Sequence, residues 1–424
     1  MNFIKKIIKV VLTRGIGALS GILVTLCITY FLNQSAAGVV LFSITIVAML
    51  GQLLPFGSEI YSMRLVGAQS DRSWKLINEE ISAIFILFLI FNFIFFVGLI
   101  VFDLVFAISI FPIFDNNLIL CFVYLAGSSL AFTQIVSRAF IGLGKSVWAS
   151  FLQSVLGPVF FLVVFYVLAS SFEFEVIDVI KIYSFCFFCT GVFSAVTWFR
   201  LNNSSFCFKL VLSTEMKTAL LTLGSISTVT VIVQYSTQLL SVFFLSPEEI
   251  ASFSVSRRIS LLVSFILIAV NLIQAPRFAK AFANEELKEI DRLALISGKV
   301  LILVAVTVFV FVCFFSEYIL GLFGEEYKKD RILLLILMLG QCVNVVTGSV
   351  MFILNMTNNE RSVLNVTLFM APVAVLLTVF FSSNYGLLGV AIVTSFLISV
   401  QNLTYVYIVK KRLGFNTLNI FRKV

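Results

Sequence analysis

Three arginines stand where charge is costly. Arg14 follows Lys5, Lys6 and Lys9 into an apolar stretch running from Val10 to Leu32, and Arg257 and Arg258 lie inside another, Ile250–Ala275. A charged side chain at the centre of a bilayer costs about 2.5–3.5 kcal/mol on the insertion scale, so arginines kept there point to an anionic ligand. A guanidinium suits phosphate above all, because its fork of N–H donors holds phosphate oxygens in pairs. The plainer alternative has Arg14 reaching back to the inner headgroups and the second helix starting late, with both its arginines at the outer interface. Ile259–Ala275 alone is barely long enough to cross a membrane, which favours an earlier start.

Polar side chains accompany these arginines. Behind Arg14, Ala18, Gly21, Thr25 and Thr29 recur at three- and four-residue steps, one face of a helix and suited to the wall of a hydrated cavity. Ser254, Ser256, Ser260 and Ser264 surround the arginine pair. Gln234 and Gln238 share a face with Ser227, Thr230 and Ser241, and Gln341 and Asn344 fall with Thr347 and Asn355 on another. Such stripes commonly glue helices together, and they also line paths that bind sugar hydroxyls. The candidate substrate-binding residues are therefore Arg14, Arg257, Arg258, Thr25, Gln234, Gln238, Gln341 and Asn344. Acids are nearly absent from the apolar stretches. Glu59, Asp103 and Asp178 lie at their ends, and Glu59 is expected to pair with Arg64 at the inner surface. An exporter of cations needs a buried carboxylate, so the balance favours an anionic substrate.

The elements that must position these residues are membrane helices. Of 424 residues, 60% are hydrophobic and 12% charged. Soluble domains carry about 25% charged residues, and this chain could not keep a polar surface in water. Its apolar residues, including 48 Phe, come in blocks of about 20, the length that crosses a hydrocarbon core of about 30 Å. The net charge of +8 sits in short clusters between those blocks, as topology signals do, and excludes a nucleic-acid surface. There is no His, which removes the commonest general base and metal ligand. The seven Cys are scattered, and Cys186 and Cys189 lie mid-span as packing residues rather than a redox or metal pair. No cofactor is implied.

The expected spans are Val10–Leu32, Ala37–Phe56, Ile81–Phe102, Leu118–Phe140, Val147–Ala169, Ile177–Phe199, Ala219–Leu245, Ile250–Ala275, Gly298–Phe315, Ile332–Leu354, Leu364–Phe381 and Leu387–Val409. Val105–Phe111 is apolar as well and reads as an extra turn or interfacial piece. With both termini in the cytoplasm, most of the 29 Lys and Arg fall on the inner side, and the outer loops before residue 171 hold none. The first span is too long for a cleaved signal core and reads as an uncleaved helix. Ser35-Ala-Ala-Gly-Val-Val-Leu-Phe42-Ser43 is echoed by Ser246-Pro-Glu-Glu-Ile-Ala-Ser-Phe253-Ser254, and Lys145-Ser-Val147 by Arg361-Ser-Val363, at offsets near half the chain. The expectation is an all-α integral membrane fold of about twelve helices. They form two pseudo-symmetric six-helix lobes, residues 1–210 and 211–424, related in parallel around a central cavity.

Loop signatures add a resemblance. Gly142-Leu-Gly144-Lys145, Pro276-Arg-Phe-Ala-Lys280, Leu322-Phe323-Gly324-Glu-Glu-Tyr327 and Tyr385-Gly386-Leu-Leu-Gly389-Val-Ala391 occur in order along the chain. With the two-lobed plan, the chain resembles the polysaccharide flippases (O-antigen or capsule repeat-unit transporters) of the MATE-like exporter superfamily. The resemblance implies a bacterial inner-membrane protein that moves an undecaprenyl-pyrophosphate-linked oligosaccharide from the cytoplasmic to the periplasmic leaflet by alternating access. It implies membrane lipids and polysaccharide assembly proteins as partners and no nucleic acid, and a two-lobed transporter can work as a monomer. Arg14, Arg257 and Arg258 would neutralise the pyrophosphate. Moving about two negative charges outward across ~100 mV is downhill by about 4–5 kcal/mol, so the membrane potential can assist. The alternatives are a multidrug or other lipid-linked-precursor exporter of the same superfamily and, from a different class, a membrane-embedded polysaccharide polymerase. A polymerase would be expected to carry a large outer loop with Arg or His, and the longest soluble segments here, Gly57–Glu80 and Pro276–Ser297, hold no catalytic constellation. The chain therefore reads as a carrier and not an enzyme.

Overall fold

The structure, a computed structural model, describes residues 2–67, 74–106, 111–114, 117–169, 174–201, 207 and 213–419. Every regular element among them is helical. In chain order these are α1 (Asn2–Phe31), α2 (Gln34–Leu53), α3 (Ser58–Gly67), α4 (Trp74–Phe106), α5 (Asn117–Gly142) and α6 (Ser146–Ser150). A π-helical turn (Phe151–Leu156) then leads into α7 (Gly157–Ala169), followed by α8 (Val176–Leu201), α9 (Thr214–Ser241), α10 (Pro247–Ala283) and α11 (Leu287–Gly321). A 3-10 turn (Glu325–Asp330) precedes α12 (Arg331–Val346), α13 (Val350–Met356) and α14 (Glu360–Leu413).

Eleven helices among the described residues are long and apolar enough to cross a membrane. The last of them, α14, has 54 residues. At 1.5 Å per residue it would run about 80 Å, more than twice the hydrocarbon core. It breaks at Gly386, whose φ of 52° and ψ of −133° leave the helical region. The two expected spans on either side of that glycine are therefore both present, and the chain is a multi-pass membrane protein with the crossings anticipated. Large apolar side chains such as Phe93 (70% exposed) and Phe314 (81% exposed) stand on the helix surfaces, which only lipid tolerates.

The structure departs from the expected boundaries in several places. The stretch after the second span, expected as a loop, contains α3, because Pro55-Phe56-Gly57 breaks the chain and a new helix starts at once. Phe56 and Gly57 take φ of +46° and +79°, a turn that the glycine adopts without strain. The fifth span is not a continuous α-helix but carries the π-helical turn. The eighth begins at Pro247, where Ser246 and Glu249 form a capping box, so the late start weighed for Arg257 and Arg258 does not occur. Of the apolar piece Val105–Phe111, residues 107–110 lie outside the described set.

The chain divides into two compact units, Met1–Ile232 and Val233–Val424. The expected boundary at 210/211 lies outside the described residues. In the first unit α5 packs on α2, α3 and α8. Gly51 faces Leu130 and Gly127 faces Leu50, so each glycine admits the leucine of the other helix. In the second unit α12 packs on α10, α11 and α14. Gly340 lies against the backbone of Ser395, and Phe278, Ile290, Ile353, Tyr405 and Val409 form part of a buried cluster. The division falls within α9, whose first half belongs to the first unit.

Candidate functional site

In the first unit, Arg14 of α1 and Arg138 of α5 lie within electrostatic reach of one another. Two like charges raise each other's cost, and here both are largely withdrawn from solvent. Arg138 also faces Glu59, yet no ion pair closes between them, and its Nε is buried without a hydrogen-bond partner. Glu59 is 8% exposed. It accepts a hydrogen bond from Ser227 of α9 at 3.4 Å, while its Oε2 has no partner. Burial pushes its carboxyl above the usual carboxylate range, against the opposing pull of backbone N–H groups, Arg138 and Ser227. The expected pairing with Arg64 does not form among the described residues, because Arg64 is exposed on the other side of α3. The result is a pair of guanidiniums with one incompletely satisfied acid beside it.

Thr25 and Thr29 sit elsewhere on α1. Thr25 is 1% exposed, and its hydroxyl donates to the Gly21 carbonyl of its own helix. Thr29 bonds Leu26 in the same way. Both are packed into the helix bundle and not displayed on an open wall. Toward the other end of the unit, a cavity of about 550 Å³ is lined by Phe31, Leu32, Asn33, Ile119, Phe174 and Glu175. It contains none of the expected site residues.

In the second unit, Arg257 lies ten residues into α10, about 15 Å from its start. Its Nη1 donates to the side-chain oxygen of Gln238 on α9, and Tyr235 stands within electrostatic reach. Gln238 and Tyr235 are both buried, so an amide and a phenol dress a guanidinium that no acid neutralises in any ion pair among the described residues. Arg258, the next residue, is half-buried and has partners of its own. Gln234, one turn from Gln238, is exposed. A separate triad joins α10 to α12. Ser264 donates to Gln341 Oε1 at 2.6 Å, and Asn344 Nδ2 approaches Ser264 Oγ at 3.3 Å and Gln341 Oε1 at 3.4 Å. Gln341 and Asn344 thus answer one another and Ser264.

The comparisons with known proteins meet this geometry. Residues 227–381 match the model of the MatE family. The structure superposes on an inward-facing multidrug resistance MATE family transporter of the MOP superfamily with a TM-score of 0.74 at 16% identity, covering 94% of each chain. It superposes on the lipid II flippase MurJ in an inward closed conformation with a TM-score of 0.78 at 15% identity, covering 99% of this chain and 91% of that one. The fold is that of the MATE-like transporters. A MOP superfamily transporter from Pyrococcus furiosus, described as having a binding pocket of reverse polarity, has a TM-score of 0.68 at 16% identity over 99% and 97% of the two chains. Comparison by sequence with curated proteins finds no match.

Within this MATE-like fold, Arg138 and Glu59 are the polar residues that sequence reasoning undervalued. Arg138 lies inside the expected fourth span, so the rule that singled out Arg14 applied to it equally. Glu59 was assigned to a loop, and only the helix after Gly57 buries it. Cys186 and Cys189 lie in α8 with free thiols.

Proposed function

We propose that this protein is a flippase for an anionic lipid-linked oligosaccharide of the undecaprenyl-pyrophosphate class. It would move that substrate from the cytoplasmic to the outer leaflet of a bacterial inner membrane by alternating access, with both termini in the cytoplasm. One observation carries the reading: three arginines stand half-buried within the spans, Arg14 and Arg138 in the first unit and Arg257 in the second. The fold alone does not choose a substrate, since a multidrug transporter and a lipid II flippase both share it. Half-buried guanidiniums that close no ion pair with an acid among the described residues suit phosphate oxygens and repel organic cations. Arg258 and Gln234 would extend the same contact, and Gln238 would hold Arg257 in place. Gln341, Asn344 and Thr25 have their polar atoms answered within the helices and would support the site by packing.

A second reading, export of cationic compounds, draws on one feature, the buried Glu59. The two readings separate in a deletion strain. Loss of a flippase leaves lipid-linked oligosaccharide accumulated on the inner leaflet, measured by its inaccessibility to an outer-leaflet sugar probe. Loss of a drug exporter leaves that lipid distributed normally and makes the cells sensitive to organic cations. The second outcome overturns the proposal.

A further inference from the structure

At one end of the first unit, the close of α1 and the starts of α2, α5 and α8 surround the cavity of about 550 Å³. Two exposed tyrosines mark its depth in the membrane. Tyr30 is 81% exposed beside Phe31 at the end of α1, and Tyr166 is 76% exposed near the end of α7. Exposed tyrosines near the ends of spans sit at headgroup level, with the ring toward the chains and the hydroxyl toward water. The cavity therefore opens where lipid headgroups lie, on the outer side in the orientation proposed above.

Its walls are mostly apolar. Phe31, Ile119, Phe174 and Val176 line it, and buried Phe165 backs two of them, its ring centroid 5.5 Å from that of Phe31 and 4.7 Å from that of Phe174. Among the described residues the polar lining is Asn33 and Glu175, with no Lys or Arg. Asn33 caps α2, its Oδ1 accepting from the Ala36 N–H at 2.8 Å, so the amide presents its Nδ2 donor to the cavity. Glu175 is exposed and closes no ion pair among the described residues. The neighbouring cation, Lys181, is engaged by Asp178 at 3.2 Å.

One negative charge, one N–H donor and aromatic walls complement a zwitterion joined to an apolar body. We propose that this cavity holds the headgroup of a phosphatidylethanolamine-type lipid. The Glu175 carboxylate accepts from the primary ammonium, which also lies against the rings of Phe31 and Phe174. Asn33 Nδ2 donates to the phosphate, and the first-turn N–H groups of α2 and α8 favour that anion as well. The acyl chains stay outside, on the lipid-facing surface that Tyr30 and Tyr166 border. A lipid with phosphate and no ammonium would meet Glu175 uncompensated, and a simple organic cation makes no use of Asn33. The bound headgroup ties the α1–α2 junction to the start of α8. This inference stands apart from the choice of transported substrate.

The test is native mass spectrometry of the purified full chain in detergent, titrated with dioleoyl phosphatidylethanolamine or with dioleoyl phosphatidylglycerol, which keeps the chains and phosphate and lacks the ammonium. Glu175→Gln should weaken retention of the phosphatidylethanolamine about fivefold, the scale of one exposed ion pair, and leave retention of the phosphatidylglycerol unchanged. Asn33→Asp keeps the helix cap and replaces the donor by a negative acceptor, so it should weaken phosphatidylethanolamine as well. Asp178→Asn, whose side chain is outside the cavity lining, should match the wild type. Retention of phosphatidylethanolamine that survives Glu175→Gln overturns the proposal, and so does an equal loss of both lipids. Displacement of the lipid by an equal concentration of soluble O-phosphoethanolamine would assign the site to the free headgroup. Binding of tetraphenylphosphonium that depends on Glu175 and not on Asn33 would assign it to organic cations, and either result sinks the lipid site.

Discussion

Gly224 of α9 lies so close to the ring of Phe56 that a methyl group on the glycine would stand 2.5 Å from two ring carbons. The same approach places the backbone nitrogen of Gly224 2.5 Å from where a Cβ on Gly57 would be. The positive-φ turn between α2 and α3 and the first half of α9 are therefore one packed joint. Ser227, one turn further along α9, reaches Glu59 from that joint.

Gly224→Ala should destabilise the first unit by about 1–3 kcal/mol, the usual cost of overpacking a closed contact. Gly67→Ala is the control, since nothing lies within 4 Å of its added methyl. All three Trp fall in the first unit, so their fluorescence during thermal unfolding reads this unit directly. Equal melting of the two variants would show that the joint is not tight.

Glu59 should make stability depend on pH. Its folded carboxyl lies above its unfolded value, so the folded state binds the proton more tightly. That contribution is fully present below the unfolded value and is lost as pH rises through the folded one. The wild type should therefore lose melting temperature as pH rises above the ordinary carboxylate value of about 4.3. Glu59→Gln should flatten this slope and melt no lower at neutral pH. A slope unchanged by the substitution would place the titration elsewhere.

Removing the buried guanidiniums should stop transport without unfolding the protein. Arg257→Ala together with Arg258→Ala, and separately Arg138→Ala, should lower delivery of the lipid-linked sugar to the outer leaflet by about tenfold or more, as loss of a charge-assisted phosphate contact of about 1.5–3 kcal/mol predicts. Arg257→Lys should retain part of the activity, since charge persists while the paired hydrogen bonds are lost. Membrane levels measured by immunoblot should match the wild type. Normal surface polysaccharide in these variants would remove the arginines from the site.

Gln341→Leu tests whether the triad with Ser264 and Asn344 is mainly adhesive. Its loss leaves buried donors unanswered and should cost about 1–3 kcal/mol of stability. Transport per folded molecule should stay near the wild-type value. A selective fall in transport with unchanged melting would instead place Gln341 on the substrate.

Much of the fold could be read in the residue order because a bilayer asks a simple question of a sequence. Blocks of about 20 apolar residues must cross it as helices, and basic residues mark the ends. Gly386, between two such blocks, could be placed at a turn before its φ was known. Arg257 could be placed deep in a helix, because Ile259–Ala275 alone was barely long enough to span. Side-chain neighbours could not be read this way. Gln238 and Arg257 are close in sequence but meet across two different helices, and Glu59 meets Arg138 and Ser227 from helices far apart in the chain.

The order of residues by itself determined that this protein lives in a membrane, where its helices cross, and that its intramembrane charge is basic. Hydrophobicity and charge act on each segment against the lipid, with no partner required. Tertiary structure alone decided that Glu59 is buried and turned from Arg64, and that Arg138 joins Arg14. Those outcomes depend on which helix faces share a joint, and lipid exerts the same pull on every apolar face. Close fits such as Gly224 on Phe56 choose among them.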